Sequence, residues 1–125
     1  MGTTMRIVIM GTGVYAVPLL SRLYESRYDV VALFTRPERL RNSDGEIIAS
    51  PMRQRAVREG TPVHAPEDVN ALASHQLLRE LAPDLLIVCD YGQILKPETL
   101  KLATRGGMNL HASLLPKYRG AAPIQ

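Results

Sequence analysis

The sequence predicts an α/β fold: an open, mostly parallel β-sheet with helices on both faces. Short apolar blocks typical of buried strands alternate with segments whose apolar residues recur at helical spacing. Gly, Pro, Asn and Asp, which favour turns, bound these blocks. Because strands that alternate with helices are joined by right-handed crossovers, this order is typical of a Rossmann-like sheet. Ligands of such sheets bind beyond the carboxyl ends of the strands.

The elements can be placed along the chain in order. Strands are predicted at residues 6–10, 30–34, 62–65, 85–89 and 108–111. Helices are predicted at residues 14–26, 51–59, 70–81 and 97–103. The second helix begins at Ser50-Pro51, since Ser caps helices and Pro favours their first turn, and Gly60 ends it. Residues 35–50 have turn-formers and no periodicity, which predicts a long, functional or mobile loop.

Composition places the chain among ordinary one-domain proteins. It has 125 residues, 46% of them hydrophobic and 22% charged. The longest apolar blocks have about five or six residues, whereas a membrane helix needs roughly twenty, so no membrane partner is expected. Cys89 is the only cysteine, which precludes an internal disulfide and suits the cytoplasm. It lies inside an apolar block and is predicted to be a small buried residue.

Positive charge is concentrated in the long loop and in the helix that follows it. The formal net charge is +3, and residues 36–58 contain six arginines but only three acidic residues. Such a cluster is usually a solvated face. Beside a predicted site it also suits a phosphate-bearing partner.

Asn109 and His111, at the end of the last predicted strand, give the clearest indication of chemistry. Two residues apart in extended chain, their side chains project from one face. An imidazole can accept or return a proton near pH 7, and an amide can donate to a carbonyl oxygen that becomes negative. Together they suit attack by an amine on an acyl carbon. We expect this pair to meet residues 11–13 and 90–92 at the carboxyl edge of the sheet.

Other motifs give weaker indications. Residues 11–16 fit the dinucleotide pattern G-x-G-x-x-A, although the second strand ends without the acidic residue that holds an NAD ribose. Arg36 at that strand end could instead contact the 2′-phosphate of NADP. Ser113 lacks the G-x-S-x-G context of a nucleophile. The three histidines and one cysteine show no metal-site spacing.

Residues 109–120, NLHASLLPKYRG, resemble the signature of the folate-dependent formyltransferases. The next five residues, AAPIQ, are similar to the branch of that family that acts on methionyl-tRNA. Weaker matches occur in order at residues 7–12, 34–39, 50–51 and 91–95. The resemblance implies that residues 1–125 are an N-terminal, 10-formyltetrahydrofolate-binding domain that is incomplete at its C-terminal end.

The resemblance also implies a reaction and a set of site residues. The reaction is transfer of a formyl group from 10-formyltetrahydrofolate to the amino group of initiator methionyl-tRNA, with no metal. Asn109 would polarise the formyl oxygen, and His111 would stabilise the tetrahedral intermediate or move the proton. The implied folate-pocket residues are Cys89, Asp90, Tyr91, Gly92, Gln93, Ile94, Leu95, Ser113, Leu114, Leu115 and Pro116. The implied tRNA-loop residues are Arg36, Arg39 and Arg41.

The chain departs from the family pattern in three respects. The family's third catalytic group, an aspartate, and its tRNA-binding domain would follow residue 125, so the 125-residue chain alone is expected to be inactive. Many members have Pro where Gly13 stands and a small residue where Asp90 stands, and Asp90 is expected to alter the charge of the pocket. A sugar-nucleotide N-formyltransferase and a non-catalytic folate- or nucleotide-binding module remain as alternatives.

Overall fold

The computed structural model describes residues 4–39 and 41–111. The strands are β1 (Arg6–Met10), β2 (Asp29–Phe34), β3 (Val63–His64), β4 (Leu85–Cys89) and β5 (Gly107–Leu110). The helices are α1 (Val17–Glu25), α2 (Pro51–Glu59), α3 (Leu72–Leu81) and α4 (Pro97–Leu100), and a 3-10 turn, Val14–Ala16, precedes α1. Four of the implied folate-pocket residues, Ser113, Leu114, Leu115 and Pro116, lie outside the described residues.

All five strands form one parallel sheet in the order β3-β2-β1-β4-β5. The chain moves outward from β1 through β2 to β3 and then returns to β4, on the other side of β1. At such a reversal the connections leave the sheet in opposite directions, which opens a crevice at the carboxyl ends of the two central strands. The predicted α/β fold with a parallel, Rossmann-like sheet is confirmed.

Apolar residues of the strands alternate between two layers, one on each face of the sheet. Helices α1 and α2 cover one face, with a core that includes Ile7, Ile9, Leu20, Leu33, Met52 and Ile87. The segment from 69 to 103, with α3, covers the other, with a core that includes Val8, Met10, Phe34, Val69, Leu78 and Leu86. Both faces are therefore buried, which explains why the strands are continuous apolar runs.

Several element boundaries differ from the predictions. The predicted helix at 14–26 is a 3-10 turn followed by α1, which carries Pro18 in its first turn, where a missing N–H costs nothing. Helix α4 ends at Leu100, and β5 ends at Leu110, so His111 lies one residue past the strand. The start of α2 is as predicted, because the Ser50 side chain accepts a hydrogen bond from the Arg53 amide at 3.2 Å.

Among residues 4–39 and 41–111, none of the helices has the length and apolar character that a membrane crossing requires.

Candidate active site

Thr12 joins the carboxyl ends of β1, β2 and β4. Its amide donates to the carbonyl oxygen of Asp90 at 2.8 Å. Its hydroxyl accepts from the Arg36 amide at 3.0 Å and lies 3.3 Å from the Tyr91 carbonyl oxygen, to which it donates. The segments that follow β2 and β4 are thereby fixed against the turn that follows β1.

Gly11 and Gly13 lie where the end of β4 and the residue after it approach closely. A Cβ on Gly11 would lie 2.5 Å from the Cys89 carbonyl oxygen, and one on Gly13 would lie 1.6 Å from Asp90 Oδ2. Gly13 has φ −75° and ψ 160°, angles that any residue adopts. Gly13 therefore leaves room for the Asp90 side chain and is not needed for an unusual backbone conformation.

The same contacts argue against the dinucleotide hypothesis. The amides of Thr12 and Gly13 both donate to the Asp90 carbonyl oxygen, at 2.8 and 3.3 Å, so they are not free to bind a pyrophosphate. Glu38, the acidic residue nearest the end of β2, accepts from Arg53 Nε at 2.9 Å and from the Ser50 amide at 3.0 Å. It is held in an ion pair rather than directed at a ribose.

A cleft of about 750 Å³ opens beyond the carboxyl ends of β1, β2 and β4. The turn after β1, the loop after β2 and the first residues after β4 form its walls. Residues along these walls include Thr12, Gly13, Arg36, Ser50, Gly92 and Gln93. Its size is typical of sites for small molecules.

Most charged side chains of the long loop have partners within the chain. Arg39 Nη2 lies 2.5 Å from Glu67 Oε1, and Arg41 Nη1 donates to the Gly45 carbonyl oxygen at 2.7 Å. Arg36 differs, because its guanidinium makes no hydrogen bond or ion pair with any residue that the structure describes. It lies over Gly92, where a Cβ would be 2.7 Å from Arg36 Cδ. Arg36 is thus the cleft arginine that can contact an anion without breaking an existing contact.

Residues of the implied folate segment, 89–95, lie in different environments: two cores, the cleft and the solvent-exposed surface. Cys89 and Tyr91 are buried on opposite faces of the sheet. Gly92 and Gln93 line the cleft, and Ile94 is 87% exposed. Side chains from this segment therefore contribute to both cores, whereas its main chain passes along the cleft.

Two further residues of this segment support the fold. Gln93 Oε1 accepts from the Val69 amide at 2.7 Å, and Gln93 Nε2 donates to the Pro66 carbonyl oxygen at 3.1 Å. Leu95 packs against the core beside α3. The Gln93 amide consequently fixes residues 66–69 at one wall of the cleft.

Tyr91 has a hydroxyl that is buried and has no hydrogen-bond partner among the described residues. Burial raises the pKa of this phenol to about 12, and the negative charge of Asp68 adds to the effect. The phenol is therefore neutral at physiological pH, and Tyr91 packs in the core and is not among the residues that line the cleft.

Asn109 and His111 are both exposed at the carboxyl end of β5. Met108 and Leu110, on either side of Asn109, are half-buried and pack towards α1 and α2, so Asn109 faces the opposite side of the sheet. The pairing of Leu110 with Cys89 places His111 level with Asp90 on the neighbouring strand.

Two of the three segments predicted to converge are in direct contact, and the approach of Asn109 and His111 to them stays a prediction. Residues 11–13 and 90–92 are joined by hydrogen bonds. Within the described ranges, Asn109 and His111 lie at the same edge of the sheet but outside the lining of the cleft. The cleft joins instead the arginine-rich loop to Gly92 and Gln93.

The sequence model of the formyl transferase family matches residues 5–125. This chain belongs to the formyl transferase family. The methionyl-tRNA formyltransferase of Caldanaerobacter subterraneus subsp. tengcongensis is 49% identical over 121 residues, which are 96% of this chain and 39% of that protein. The methionyl-tRNA formyltransferase of Rhodopirellula baltica is 47% identical over 129 residues, covering 100% of this chain and 38% of the relative. The chain thus spans less than two-fifths of the length of these curated relatives.

A solved structure has the same fold as this formyl transferase chain. Glycinamide ribonucleotide transformylase 1 from Geobacillus kaustophilus superposes with a TM-score of 0.59 at 23% identity. The match covers 94% of this chain and 63% of that structure. At this identity the likeness concerns the fold alone.

Sequence reasoning missed several residues that shape the cleft of this formyl transferase chain. Thr12 stands between two glycines, and the hydroxyl in this turn is the feature from which its hydrogen bonds could have been predicted. Glu38 and Glu67 hold Arg53 and Arg39 in ion pairs. No local sequence pattern reveals these ion pairs, because the two residues of each pair are distant in sequence and meet only in the folded chain.

Proposed function

We propose that residues 1–125 form the N-terminal, folate-binding part of a methionyl-tRNA formyltransferase. The reaction transfers the formyl group of 10-formyltetrahydrofolate, the co-substrate, to the amino group of initiator methionyl-tRNA. The observation that carries the proposal is 49% and 47% identity to proteins of that name over 96% and 100% of this chain. The cleft and the exposed Asn109 and His111, all at the carboxyl edge of the sheet, support it.

Asn109 and His111 have the chemistry that this reaction needs. Attack of the amine nitrogen on the formyl carbon moves negative charge onto the formyl oxygen, and the Asn109 amide donates a hydrogen bond to it. The attacking nitrogen must lose a proton, and the folate nitrogen that leaves must gain one. His111 stabilises the intermediate or carries a proton between these steps. Their exposure supports these roles, since substrates can reach both side chains.

The folate ring binds against the main chain of residues 89–95, and residues 113–116, outside the described residues, are the other proposed folate contacts. Gly92 supports this part of the proposal. It lines the cleft, is exposed, and has no side chain to cover its peptide groups. Asp90 and Ile94 are exposed on the same segment.

The loop arginines contact the phosphates of the tRNA acceptor end. Arg36 is the best placed of the three, because Arg39 is bonded to Glu67 and Arg41 to the Gly45 carbonyl oxygen. Phosphate contacts position a nucleic acid without reading its sequence. We locate the reaction in the cytoplasm, where a chain with one cysteine, buried in the core, experiences no oxidising pressure.

The test is formylation of methionyl-tRNA by the full product of the gene. We expect Asn109→Ala and His111→Ala each to lower kcat about 100-fold or more, because each removes a group that acts on the transition state. Both residues are exposed, so thermal unfolding should not change.

His75→Ala is the matched control, since His75 bonds Thr99 Oγ1 at 2.7 Å and lies outside the cleft lining. It should retain native turnover. Native turnover by both the Asn109 and His111 variants would refute their roles. A native gene product that formylates no methionyl-tRNA would refute the substrate.

A further inference from the structure

We infer that Asn70 is a positioning residue for the formyl donor, because its carboxamide fixes the main chain of residues 94–96 before folate binds. The inference rests on the proposed function, in which the folate ring binds against residues 89–95. Asn70 lies outside that segment, on the connection between β3 and α3. It acts through the segment and is not itself a catalytic residue.

The segment that follows β4 has little support from its own main chain. Residues 91–96 form neither helix nor strand. Within residues 4–39 and 41–111, no main-chain group of residues 92–95 bonds to another main-chain group. Leu95 packs against the core, whereas Ile94 is 87% exposed. Because a segment with so few contacts opens easily, side-chain hydrogen bonds are needed to keep it in one conformation.

Asn70 supplies such bonds on both sides of Leu95. Its Nδ2 donates to the Ile94 carbonyl oxygen at 2.9 Å, and its Oδ1 accepts from the Lys96 amide at 2.9 Å. Since a main-chain N–H can only donate and a carbonyl oxygen can only accept, these two partners determine the orientation of the carboxamide. The carboxamide thereby substitutes for the neighbouring strand that this segment lacks.

Gln93 makes the reciprocal contact. Its Oε1 accepts from the Val69 amide at 2.7 Å, and its Nε2 donates to the Pro66 carbonyl oxygen at 3.1 Å. Each of the two segments, 66–70 and 92–96, therefore supplies one carboxamide that bonds to main-chain groups of the other. Contacts at two separate points prevent the segments from pivoting about either one.

Asn70 is itself held by the core. The neighbouring Val69 is fully buried, and the Asn70 amide donates to Asp68 Oδ1 at 2.9 Å. The buried Thr99 hydroxyl donates to Asn70 Oδ1 at 2.7 Å. Asn70 thus connects the rigid core to a segment whose first residues, 92 and 93, line the cleft.

A segment that is fixed in advance binds a ligand more tightly, because ordering a mobile segment on binding opposes affinity. Without the Asn70 carboxamide, folate would have to order residues 94–96 itself. The chemical step takes place after the segment is ordered and should not be affected. The expected result is a higher KM for the formyl donor, with kcat and the KM for methionyl-tRNA nearly unchanged.

Binding of 10-formylfolate, an oxidised analogue of the donor, to the full product of the gene tests the inference without catalysis. We expect Asn70→Ala to raise the Kd of this analogue about tenfold. The KM for 10-formyltetrahydrofolate should rise by a similar factor. Hydrogen exchange of residues 92–96, measured by mass spectrometry, should become faster, because the Lys96 amide loses its acceptor.

Ser26→Ala is the matched control. Ser26 Oγ also bonds to two main-chain groups: it donates to the Leu23 carbonyl oxygen at 2.6 Å and accepts from the Tyr28 amide at 3.1 Å. It lies between α1 and β2, at the amino end of the sheet. This variant should lower the melting temperature but leave both the Kd of 10-formylfolate and the exchange of residues 92–96 at their native values.

Asn70→Asp is a second variant that leaves no gap in the structure. One carboxylate oxygen can accept from the Lys96 amide and the Thr99 hydroxyl as before, whereas the other cannot donate to the Ile94 carbonyl oxygen. The chain should therefore fold and still raise the Kd of 10-formylfolate about threefold.

A native Kd in both Asn70 variants would overturn the inference. So would a rise in the Ser26→Ala chain equal to that in Asn70→Ala, since the effect would then follow from lost stability. If the inference alone is wrong, the native gene product still binds 10-formylfolate and formylates methionyl-tRNA. A native gene product that does neither would refute the proposed function, and the inference with it.

Discussion

The two ends of the sheet differ in how far charged side chains take part in holding them together. At the amino end, charged side chains add to main-chain bonds such as that from the Asp84 amide to the Arg6 carbonyl oxygen at 2.8 Å. Asp84 Oδ2 accepts from the Arg6 amide at 2.7 Å, and the Arg6 guanidinium donates to the Leu81 carbonyl oxygen at 2.5 Å. At the carboxyl end, main-chain groups make most of the contacts. The Gly11 amide donates to Phe34 at 2.9 Å, and the Thr12 amide to Asp90 at 2.8 Å.

This difference shows how one sheet can combine a stable end with a reactive end. Because peptide groups hold the carboxyl end, the side chains of Arg36, Asp90, Asn109 and His111 remain exposed. Polar side chains at the amino end are engaged in structural bonds instead. Variants at the amino end should therefore change stability alone, whereas exposed side chains at the carboxyl end should change ligand binding and turnover.

Gly11→Ala tests the close main-chain contact at the carboxyl end and should have the largest effect. Its Cβ would lie 2.5 Å from the carbonyl oxygen of Cys89, a main-chain atom that cannot move without shifting β4. We expect the free energy of unfolding to fall by about 2–4 kcal/mol in urea titrations. Gly45→Ala, where φ is 82° but no atom lies within 4 Å, should cost only about 1 kcal/mol. Equal losses would show that the close approach is not what requires glycine.

Arg6→Ala tests the side-chain contacts at the amino end. It removes the charged hydrogen bonds to the Leu81 and Ala82 carbonyl oxygens at the end of α3. We expect a loss of about 1.5–3 kcal/mol in the free energy of unfolding, with affinity for the proposed folate co-substrate unchanged. Arg22→Ala, which removes an exposed contact of 3.9 Å to Glu25, should cost at most about 0.5 kcal/mol. Weakened folate binding by the Arg6 variant would contradict the separation of the two ends.

Tyr91→Phe tests how a residue at the carboxyl end of the sheet makes stability depend on pH. In the unfolded chain the phenol titrates near its usual pKa of 10.0, whereas in the folded chain burial raises the pKa to about 12. Stability is therefore complete below pH 10.0 and falls as pH rises towards 12. Tyr91→Phe should remove part of this alkaline loss. At neutral pH it should change stability by less than about 1 kcal/mol, because the hydroxyl has no partner among the described residues.

Thermal melts recorded across the alkaline range measure the effect of Tyr91→Phe. Tyr15→Phe, at a side chain that is 68% exposed, is the control and should leave the alkaline loss as it is in the native chain. An identical alkaline loss in the native and Tyr91→Phe chains would contradict the assignment to Tyr91.

Asp84→Asn should have the smallest effect. The hydrogen bond from the Arg6 amide lowers the pKa of the Asp84 carboxyl below its usual 3.8. The stability that this group contributes is present above pH 3.8 and is lost as pH falls through the lowered pKa of the folded chain. The variant should melt slightly earlier at neutral pH and lose less stability in acid. Parallel acid profiles for the two chains would exclude this role.

The sequence predicted the fold better than it predicted the site. Alternating apolar blocks located all five strands, since both faces of the sheet are buried. The cleft depends on contacts between distant residues, such as Arg39 with Glu67, and no local pattern reveals them. The exposed polar residues Asn109 and His111 could be found because they interrupt an apolar strand. Their distance from the long loop could not be predicted, because it depends on the strand order, which places β4 and β1 between β5 and β2.

The contact between Asp90 and Gly13 has a consequence for how the two positions can evolve. An ancestor with aspartate at 90 would accept a larger residue at 13 only by moving the carboxylate. If a small residue replaced Asp90 first, the later change at position 13 would meet no obstacle. The residues at positions 13 and 90 are then a single coupled trait with a preferred mutational order. Reconstructed ancestors that carry a side chain at position 13 should have a small residue at position 90.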